Sequence, residues 1–407
     1  MIIPPAHRTE TVKEYYFSVK NKEIAKLNAE RASRGEPAVV NLGIGSPNGI
    51  PPRPAIDKLI EVAQMPGVHA YQSYTGTPEL RGAFADWYKR YYGVTLDPAT
   101  EIQPLMGSKE GILIASMTFL NPGDGVLIPD PGYPTYTSSA ALVGAKIIKY
   151  DLVAEKGWLP DFDTLEAMDL SGVKMMWTNY PNMPTGAKAT RELYRRLVKF
   201  GRDHKILIIN DNPYSFILTD EHLSILAEDG ARECCLEMNS LSKAHNMAGW
   251  RIGMIAGEAP YIRELLKVKS QMDSGMFRPL QMAAVEALAA GEDWFDELNA
   301  EYRRRRAVVQ KIFDLLGASY NPDSTGLFVW GKCPSPEAMD ALCGPCDNPD
   351  KTPGERISDK FLYGCGVFIT PGFIFGRNGR GYIRASLCAN IPALEDALSR
   401  IKNLLGR

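Results

Sequence analysis

Short apolar runs separated by helical patterns dominate the middle of the chain. None of these runs alternates between apolar and polar residues, which is typical of strands buried on both faces of a mostly parallel sheet. The predicted strands are residues 102–106, 125–128, 145–150, 173–178, 206–210, 234–239 and 251–256. Ligands of such sheets bind beyond the carboxyl ends of the strands, so the residues that follow each run are candidates for chemistry.

The two ends of the chain have a different pattern. Residues 12–34 have helical spacing, and a long helical region at 260–316 contains one break, at 271–279. A meander follows, with strands at 326–331, 367–371 and 381–386 and with helices near Glu337 and at 354–363. Because 407 residues exceed what one core usually holds, we predict two domains. The large domain is 48–292, and the small α+β domain combines 1–47 with 293–407.

Several residues with chemical potential follow predicted strands. Ser108 and Lys109 open a helix, where a helix cap and an anion site are equally consistent with the sequence. Tyr133 lies in a loop of Pro and Gly and could stack on a flat ligand, although a packed core ring would look the same. Asp211 ends an apolar strand as either a cap or a buried acceptor for a cation, and Tyr214 could face the same place.

Three further cations lie within or between apolar runs. Lys243 lies among hydroxyl residues within 239–253, and Arg251 follows it between glycines. A buried ammonium is costly, so Lys243 is either a solvated loop lysine or one kept for Schiff-base chemistry. Arg384 interrupts an apolar strand and implies a carboxylate partner, from the protein or from a substrate.

Composition narrows the possible partners. A net charge of -2 gives no reason to expect nucleic acid or an anionic membrane as a partner. No apolar run approaches membrane-spanning length, and the N-terminus lacks signal-peptide features, so we expect a cytoplasmic protein. The seven cysteines have no framework spacing and are expected to be reduced thiols; no metal site is predicted. Cys343 and Cys346 match a thioredoxin-like redox motif, but a helix-like run precedes them, which favours an incidental pair.

The strand-end loops, taken in order, resemble those of the pyridoxal-phosphate-dependent aminotransferases of fold type I, class I/II. The resemblance covers nearly the whole chain and is greatest for the aspartate and LL-diaminopimelate branch. It implies an α/β fold, with a mostly parallel seven-stranded sheet between helices and a smaller α+β domain. It also implies a homodimer with shared active sites, and ping-pong amino transfer between an amino acid and a 2-oxo acid through pyridoxal 5'-phosphate.

The resemblance also implies a role for each matching residue. Lys243 would carry the cofactor as a Schiff base and then act as the base, and Asp211 would pair with the ring nitrogen. Tyr214 would bond the ring 3-oxygen, and Arg384 would bind the substrate α-carboxylate. The other cofactor contacts would be Ser108, Lys109, Tyr133 on the ring face, Ser240, Arg251 and, from the neighbouring subunit, Tyr71. Ile44 and Gly45 would line the substrate pocket.

Two positions depart from the family pattern. Met183 replaces an asparagine that bonds the ring 3-oxygen, so we expect Asn182 or Tyr214 alone to take that role. Arg278 stands where the family often has a small polar residue, in the segment that reaches the partner's site. It could meet the partner's cofactor phosphate or the distal carboxylate of a dicarboxylic substrate, or be a surface arginine at a helix break.

The substrate and the reaction type leave alternatives. An acidic or diaminopimelate-like substrate fits the resemblance. A β-lyase on the same fold is the nearest rival, since it differs only in the later steps. A non-catalytic cofactor-binding sensor is less expected, because it would normally carry an added DNA-binding segment and this N-terminus is short.

Overall fold

The computed structural model describes residues 2–346 and 348–407. The α-helices are α1 (Tyr16–Ser33), α2 (Arg53–Ala63), α3 (Pro78–Tyr92), α4 (Ser108–Phe119), α5 (Pro134–Leu142), α6 (Phe162–Glu166), α7 (Arg191–His204), α8 (Ala231–Cys234), α9 (Ala259–Lys269), α10 (Arg278–Leu288), α11 (Glu292–Leu315), α12 (Pro336–Cys343), α13 (Pro353–Cys365) and α14 (Ile391–Leu405). The strands are β1 (Val40–Asn41), β2 (Ile102–Leu105), β3 (Gly125–Asp130), β4 (Lys146–Asp151), β5 (Val173–Thr178), β6 (Leu207–Asp211), β7 (Cys235–Ser240), β8 (Gly253–Gly257), β9 (Ser319–Tyr320), β10 (Phe328–Lys332), β11 (Val367–Phe368), β12 (Thr370–Pro371) and β13 (Tyr382–Ser386).

The central sheet has seven strands in the order β2-β8-β7-β6-β5-β3-β4. All neighbours pair in parallel except β8, which runs antiparallel to both β2 and β7. This confirms the predicted mostly parallel sheet, with strand ends shifted by one or two residues. The last strand begins at Gly253 rather than at Arg251, because Arg251 has a φ of 57°, in the left-handed region that a strand cannot contain.

Helices cover both faces of the central sheet. Apolar side chains of α4, α5 and α9, such as Ile112, Tyr136 and Leu265, form one cluster against the sheet. A larger cluster contains side chains of α3 and α7, such as Phe84 and Leu197. All strands except the edge strand β4, which is partly exposed, therefore lose water on both sides, which explains why these predicted strands lack alternation.

The N-terminal segment joins the C-terminal part of the chain. β1 pairs in parallel with β11, and a four-stranded antiparallel sheet has the order β12-β13-β10-β9. The predicted helical region 260–316 has two breaks rather than one. The second falls at Gly291, whose extended ψ of -175° precedes α11 and separates it from α10. Within the described ranges, no helix is long and apolar enough to cross a membrane.

Candidate active site

A cavity of about 480 Å³ opens beyond the carboxyl ends of β2, β3, β5, β6 and β7. The structure brings most of the predicted site residues to its wall, namely Ile44, Gly45, Ser108, Lys109, Tyr133, Met183, Asp211, Tyr214, Ser240, Lys243, Arg251 and Arg384. It adds residues that the sequence analysis did not single out, among them Tyr15, Phe17, Asn21, Tyr136, Asn179, Phe328 and Phe375. Three predicted residues, Tyr71, Asn182 and Arg278, are not part of this wall.

Asp211 supplies a buried acceptor at the end of β6. Its Oδ2 accepts a hydrogen bond of 2.9 Å from the Tyr136 hydroxyl, whereas Oδ1 is buried and has no hydrogen-bond partner among the described residues. Burial raises the pKa of Asp211 to about 7, although the Tyr136 hydrogen bond and the Lys243 charge oppose this rise. An unsatisfied buried carboxylate oxygen is costly. This atom therefore fits a ligand that donates a hydrogen bond to it, above all from a cationic N–H.

Tyr136 was missed because its sequence context does not distinguish it from a core residue. Its ring is fully buried in α5 and stacks on Trp177, with ring centroids 4.9 Å apart. The available signal was its place at the end of the Pro-Gly loop that presents Tyr133. Tyr136 fixes the orientation of the Asp211 carboxylate.

Lys243 lies in the turn after β7, and its Nζ donates to the carbonyl oxygen of Gly45. Burial lowers the pKa of Lys243, and the positive charges of Arg384 and Arg251 act in the same direction, against Cys388 and Asp211. A lowered pKa increases the fraction of neutral amine, which is the form that attacks a carbonyl carbon. The structure therefore favours a Schiff-base role for Lys243 over the alternative of a solvated loop lysine.

An anion cradle lies at the N-terminus of α4. Gly107 has a φ of 81°, and a Cβ built there would lie 2.2 Å from Nη2 of Arg251, so the guanidinium packs directly on this backbone. A Cβ on Gly253 would lie 3.0 Å from the backbone nitrogen of Ser108 and 3.2 Å from Cβ of Ser240, which places both serines at the same turn. The free amides at the start of α4, the helix dipole and the Arg251 charge together suit a phosphate group.

Lys109 adds a second cation to the cavity wall. Its Nζ lies 4.5 Å from the ring centroid of Tyr15, close enough for a cation–π contact. Tyr15 comes from the segment just before α1, so the N-terminal part of the chain closes one side of the cavity.

Arg384 lies on β13, is 3% exposed and has a guanidinium group suited to binding an anion. Its Nη2 donates to the Gly43 carbonyl oxygen at 2.7 Å, and the guanidinium lies 3.9 Å from the Phe328 ring and 4.6 Å from the Phe375 ring. Burial lowers the pKa of Arg384 to about 10, so the group stays charged at neutral pH. No carboxylate of the described residues forms an ion pair with it, and its Nε is unpartnered there. Of the two partners left open by the sequence, a carboxylate from a ligand therefore fits better.

Asn182 forms its hydrogen bonds within its own loop. Its Nδ2 donates to the Asn179 carbonyl oxygen at 3.0 Å, and its Oδ1 accepts from the Thr185 hydroxyl at 2.6 Å. Asn182 thus closes the local turn and is not part of the cavity wall. Asn179 lines the cavity instead; its Nδ2 donates to the Asp211 carbonyl oxygen at 2.5 Å and its Oδ1 accepts from the Met183 backbone N–H at 2.8 Å.

Met183 and Tyr214 occupy the remaining wall near Asp211. The Met183 sulfur lies 3.3 Å from Nη1 of Arg384 and offers no donor of its own. Burial raises the pKa of Tyr214, which keeps its phenol protonated and able to donate.

Tyr71 and Arg278 lie on the surface, away from the cavity of their own chain. Tyr71 is 91% exposed, and Arg278 is exposed at the first turn of α10. The two segments that carry them touch, since His69 stacks on Phe277 with ring centroids 5.8 Å apart.

One known ligand has chemical groups that match Lys243, Asp211 and the anion cradle at α4. Pyridoxal phosphate has an aldehyde for the Lys243 amine, a phosphate for the cradle at α4, and a ring nitrogen whose N–H can satisfy Oδ1 of Asp211. Together with the mostly parallel sheet, this fit defines the class as the fold type I pyridoxal-phosphate enzymes.

Comparison with known proteins identifies the family. The model of the aminotransferase class I and II family matches residues 37–401, and the chain belongs to that family. It is 38% identical to the LL-diaminopimelate aminotransferase of Nitratidesulfovibrio vulgaris over 402 residues, or 98% of each chain. The protein is an aminotransferase, and its cofactor is pyridoxal phosphate.

Solved structures agree with this family. Substrate-bound BacF from Bacillus subtilis has a TM-score of 0.88 and 32% identity, covering 100% of this chain and 98% of that one. Aspartate aminotransferase from Thermus thermophilus with maleate has a TM-score of 0.86 and 25% identity, covering 99% and 100% of the two chains.

Proposed function

We propose that this aminotransferase acts on an amino acid with a second polar or acidic group at its far end, in the manner of LL-diaminopimelate, and exchanges its amino group with a 2-oxo acid. The observation that carries the amino-acid part of this proposal is Arg384, a buried cation that suits an α-carboxylate and for which the described residues provide no counterion. The name of the 38% identical relative supports the choice of substrate class.

Each site residue has a separate role in the proposed amino transfer. When bound, pyridoxal phosphate supplies an electron-poor ring that makes the proton on the substrate α-carbon acidic. Lys243 would hold the cofactor covalently and, as a free amine, would take the proton from the substrate α-carbon and return it, a role that its lowered pKa suits. Asp211 would accept a hydrogen bond from the ring N–H and keep that nitrogen protonated, and Tyr214 would donate to the ring 3-oxygen. Arg384 orients the substrate through two parallel hydrogen bonds to its α-carboxylate.

The phosphate is assigned to Ser108 and Lys109 at the start of α4, together with Ser240 and Arg251. Tyr133 is placed on the ring face, and the backbone at Ile44 and Gly45 lines the substrate side. The carbonyl oxygen of Gly45 already accepts from Lys243 Nζ, which supports its position beside the reacting atoms.

A homodimer with shared active sites is part of the proposal. The two chain segments around Tyr71 and Arg278 contain many exposed apolar side chains, which favours their burial against a second copy. These side chains are Ile50, Ile60, Met65, Tyr71, Tyr74, Met272 and Phe277. In that dimer Tyr71 reaches the partner's cofactor phosphate, and Arg278 faces the partner's phosphate or the far end of its substrate.

Subunit hybrids test this arrangement. Homodimers of Lys243→Ala and of Tyr71→Ala are each expected to be impaired, because every site contains one altered residue. A hybrid of the two variants contains one intact site, made of Lys243 from one subunit and Tyr71 from the other. Mixing the variants should therefore restore activity; if the mixture stays as inactive as the separate variants, the sites are not shared.

Domain division and location complete the proposal. The pairing of β1 with β11 supports a small domain of 1–47 and 293–407 beside a large domain of 48–292. The seven cysteines are all free thiols, which supports a reducing compartment such as the cytoplasm.

A half-reaction screen tests the substrate class. The holoenzyme is mixed with single amino acids without an oxo acid, and the absorbance of the bound cofactor is followed. We expect LL-diaminopimelate and glutamate to convert the cofactor faster than alanine or leucine, and a 2-oxo acid to reverse the change. Equal rates for acidic and neutral amino acids would contradict the substrate proposal, and steady release of ammonia without oxo acid would indicate a lyase.

A further inference from the structure

A buried charged cluster lies behind the phosphate cradle and has no role in the mechanism described so far. Lys269, the last residue of α9, is 1% exposed. Its Nζ donates to the Asp273 carboxylate and lies 4.0 Å from Oε1 of Glu110. Burying three ionisable groups is costly, so a cluster of this kind needs an explanation beyond stability.

Glu110 connects the cluster to the cradle. It is the third residue of α4, and its Oε2 accepts a hydrogen bond of 2.6 Å from the backbone N–H of Met106. Met106 precedes Gly107, the residue on which the Arg251 guanidinium packs. Glu110 therefore fixes the turn from which the anion-binding amides project.

The positive charge of Lys269 also compensates the negative charge of Glu110 and Asp273. Glu110 and Asp273 are two carboxyl groups close to the start of α4, where they oppose the attraction of the helix for an anion. Burial raises the pKa of Glu110, and the neighbouring Asp273 adds to this rise while Lys269 opposes it. Lys269 thus offsets negative charge that would otherwise weaken phosphate binding.

Asp273 connects the cluster to the surface that carries Tyr71. Its Oδ1 accepts from the Gly275 N–H at 3.0 Å. Gly275 has a φ of 84°, and a Cβ built on it would lie 2.5 Å from the carbonyl oxygen of Gln72. The cluster therefore lies between the cradle of its own chain and the residue before Gln72, Tyr71.

We propose that Lys269, with Glu110 and Asp273, is a positioning cluster for the cofactor phosphate: it fixes the turn before α4 and offsets the negative charge beside it. This inference rests on the proposed placement of the phosphate at that turn. None of the three residues contacts the cofactor in this scheme; each acts through the backbone of the turn or through the local field.

Two variants of opposite charge effect test the proposal. Lys269→Met leaves two carboxyl groups without their cation, so binding of pyridoxal phosphate to the full-length, cofactor-stripped enzyme should weaken by about tenfold or more. Glu110→Gln removes one negative charge but keeps an oxygen for the Met106 N–H, so binding should be as tight as in the wild type or tighter. A purely structural role predicts weaker binding in both variants.

Pyridoxal, which lacks the phosphate, separates a phosphate effect from general damage. Its affinity should change by less than about twofold in either variant, since the charges act on the phosphate end. Inorganic phosphate should raise the melting temperature of the stripped wild-type protein and of Glu110→Gln, and less so that of Lys269→Met. The matched control is Lys267→Met on the same helix, whose exposed ion pair with Glu264 spans 2.7 Å and is expected to have no effect.

Three results would overturn the proposal: equal losses for pyridoxal phosphate and pyridoxal in Lys269→Met, weaker phosphate binding in Glu110→Gln, or identical behaviour of Lys269→Met and Lys267→Met. If Lys269→Met does not fold, the sign of the Glu110→Gln effect still decides. A wild-type enzyme that binds pyridoxal as tightly as pyridoxal phosphate would instead refute the proposed phosphate site itself.

Discussion

Asp211→Asn should stabilise the cofactor-free protein at alkaline pH while it damages the enzyme. Burial raises the pKa of Asp211 from 3.8 to about 7. Three pKa units correspond to about 4 kcal/mol, which is the cost of ionising this carboxyl in the folded protein relative to the unfolded chain. Asparagine avoids that cost but leaves an amide N–H without a partner, at about 1–3 kcal/mol.

The folding stability linked to Asp211 should fall as the pH rises. Because the folded-state pKa is raised, the stability linked to Asp211 is fully present below pH 3.8 and is lost as the pH rises through about 7. Between pH 5 and pH 8 the cofactor-free wild type should therefore lose about 2–3 kcal/mol relative to Asp211→Asn. Bound cofactor reverses the order, since its ring N–H pairs with the carboxylate; losing that pair should cost about 2–5 kcal/mol.

The assay is urea unfolding of the cofactor-free wild type and variant at both pH values, with the same measurement on the holoenzymes. Asp86→Asn serves as the control, because Asp86 is exposed on α3 and its removal should leave the pH dependence unchanged. Parallel stability curves for cofactor-free wild type and Asp211→Asn would refute the argument that Asp211 is a strained, unsatisfied acid.

Three further substitutions have defined outcomes. Arg384→Lys should lower kcat/KM for amino acids by about a hundredfold or more, because an ammonium cannot make two parallel bonds to a carboxylate; the absorbance of the bound cofactor should not change, and unchanged kinetics would contradict the assignment. Met183→Asn adds a donor beside Tyr214, so the midpoint of the cofactor's absorbance change with pH should shift, and an unshifted midpoint would count against the role given to Tyr214. Gly107→Ala places a methyl group 2.2 Å from the Arg251 guanidinium at a φ of 81°; we expect the dissociation constant of pyridoxal phosphate to rise about tenfold or more, whereas an unaltered constant in equilibrium titrations would place the phosphate elsewhere.

The sequence was sufficient for the sheet and for residues whose chemistry conflicts with their surroundings. Asp211, Lys243 and Arg384 stood out because charged groups in apolar runs require a reason. The direction of the strands was harder to predict from the sequence. The run that became β8 has the same apolar character as its parallel neighbours, and only the connections between strands make it antiparallel.

Residues whose role depends on side-chain direction could not be assigned from the sequence. Asn179 and Asn182 lie in one short loop, and no sequence feature indicates that Asn179 faces the cavity while Asn182 closes the turn. Tyr15 and Phe328 were missed because one precedes a distant helix and the other resembles an ordinary core residue of β10. Their place in the wall is determined by how the N- and C-terminal parts of the chain pack on the sheet.

The aromatic setting of Arg384 has a practical consequence. A charged guanidinium held between rings, with its fork open to the cavity, does not distinguish a substrate from any other small carboxylate of suitable size. Acetate or citrate in a purification buffer would occupy the same fork and depress measured rates. Kinetic work on this enzyme therefore belongs in carboxylate-free buffers, and aromatic acids that reach the Phe328 ring are a rational starting point for inhibitors.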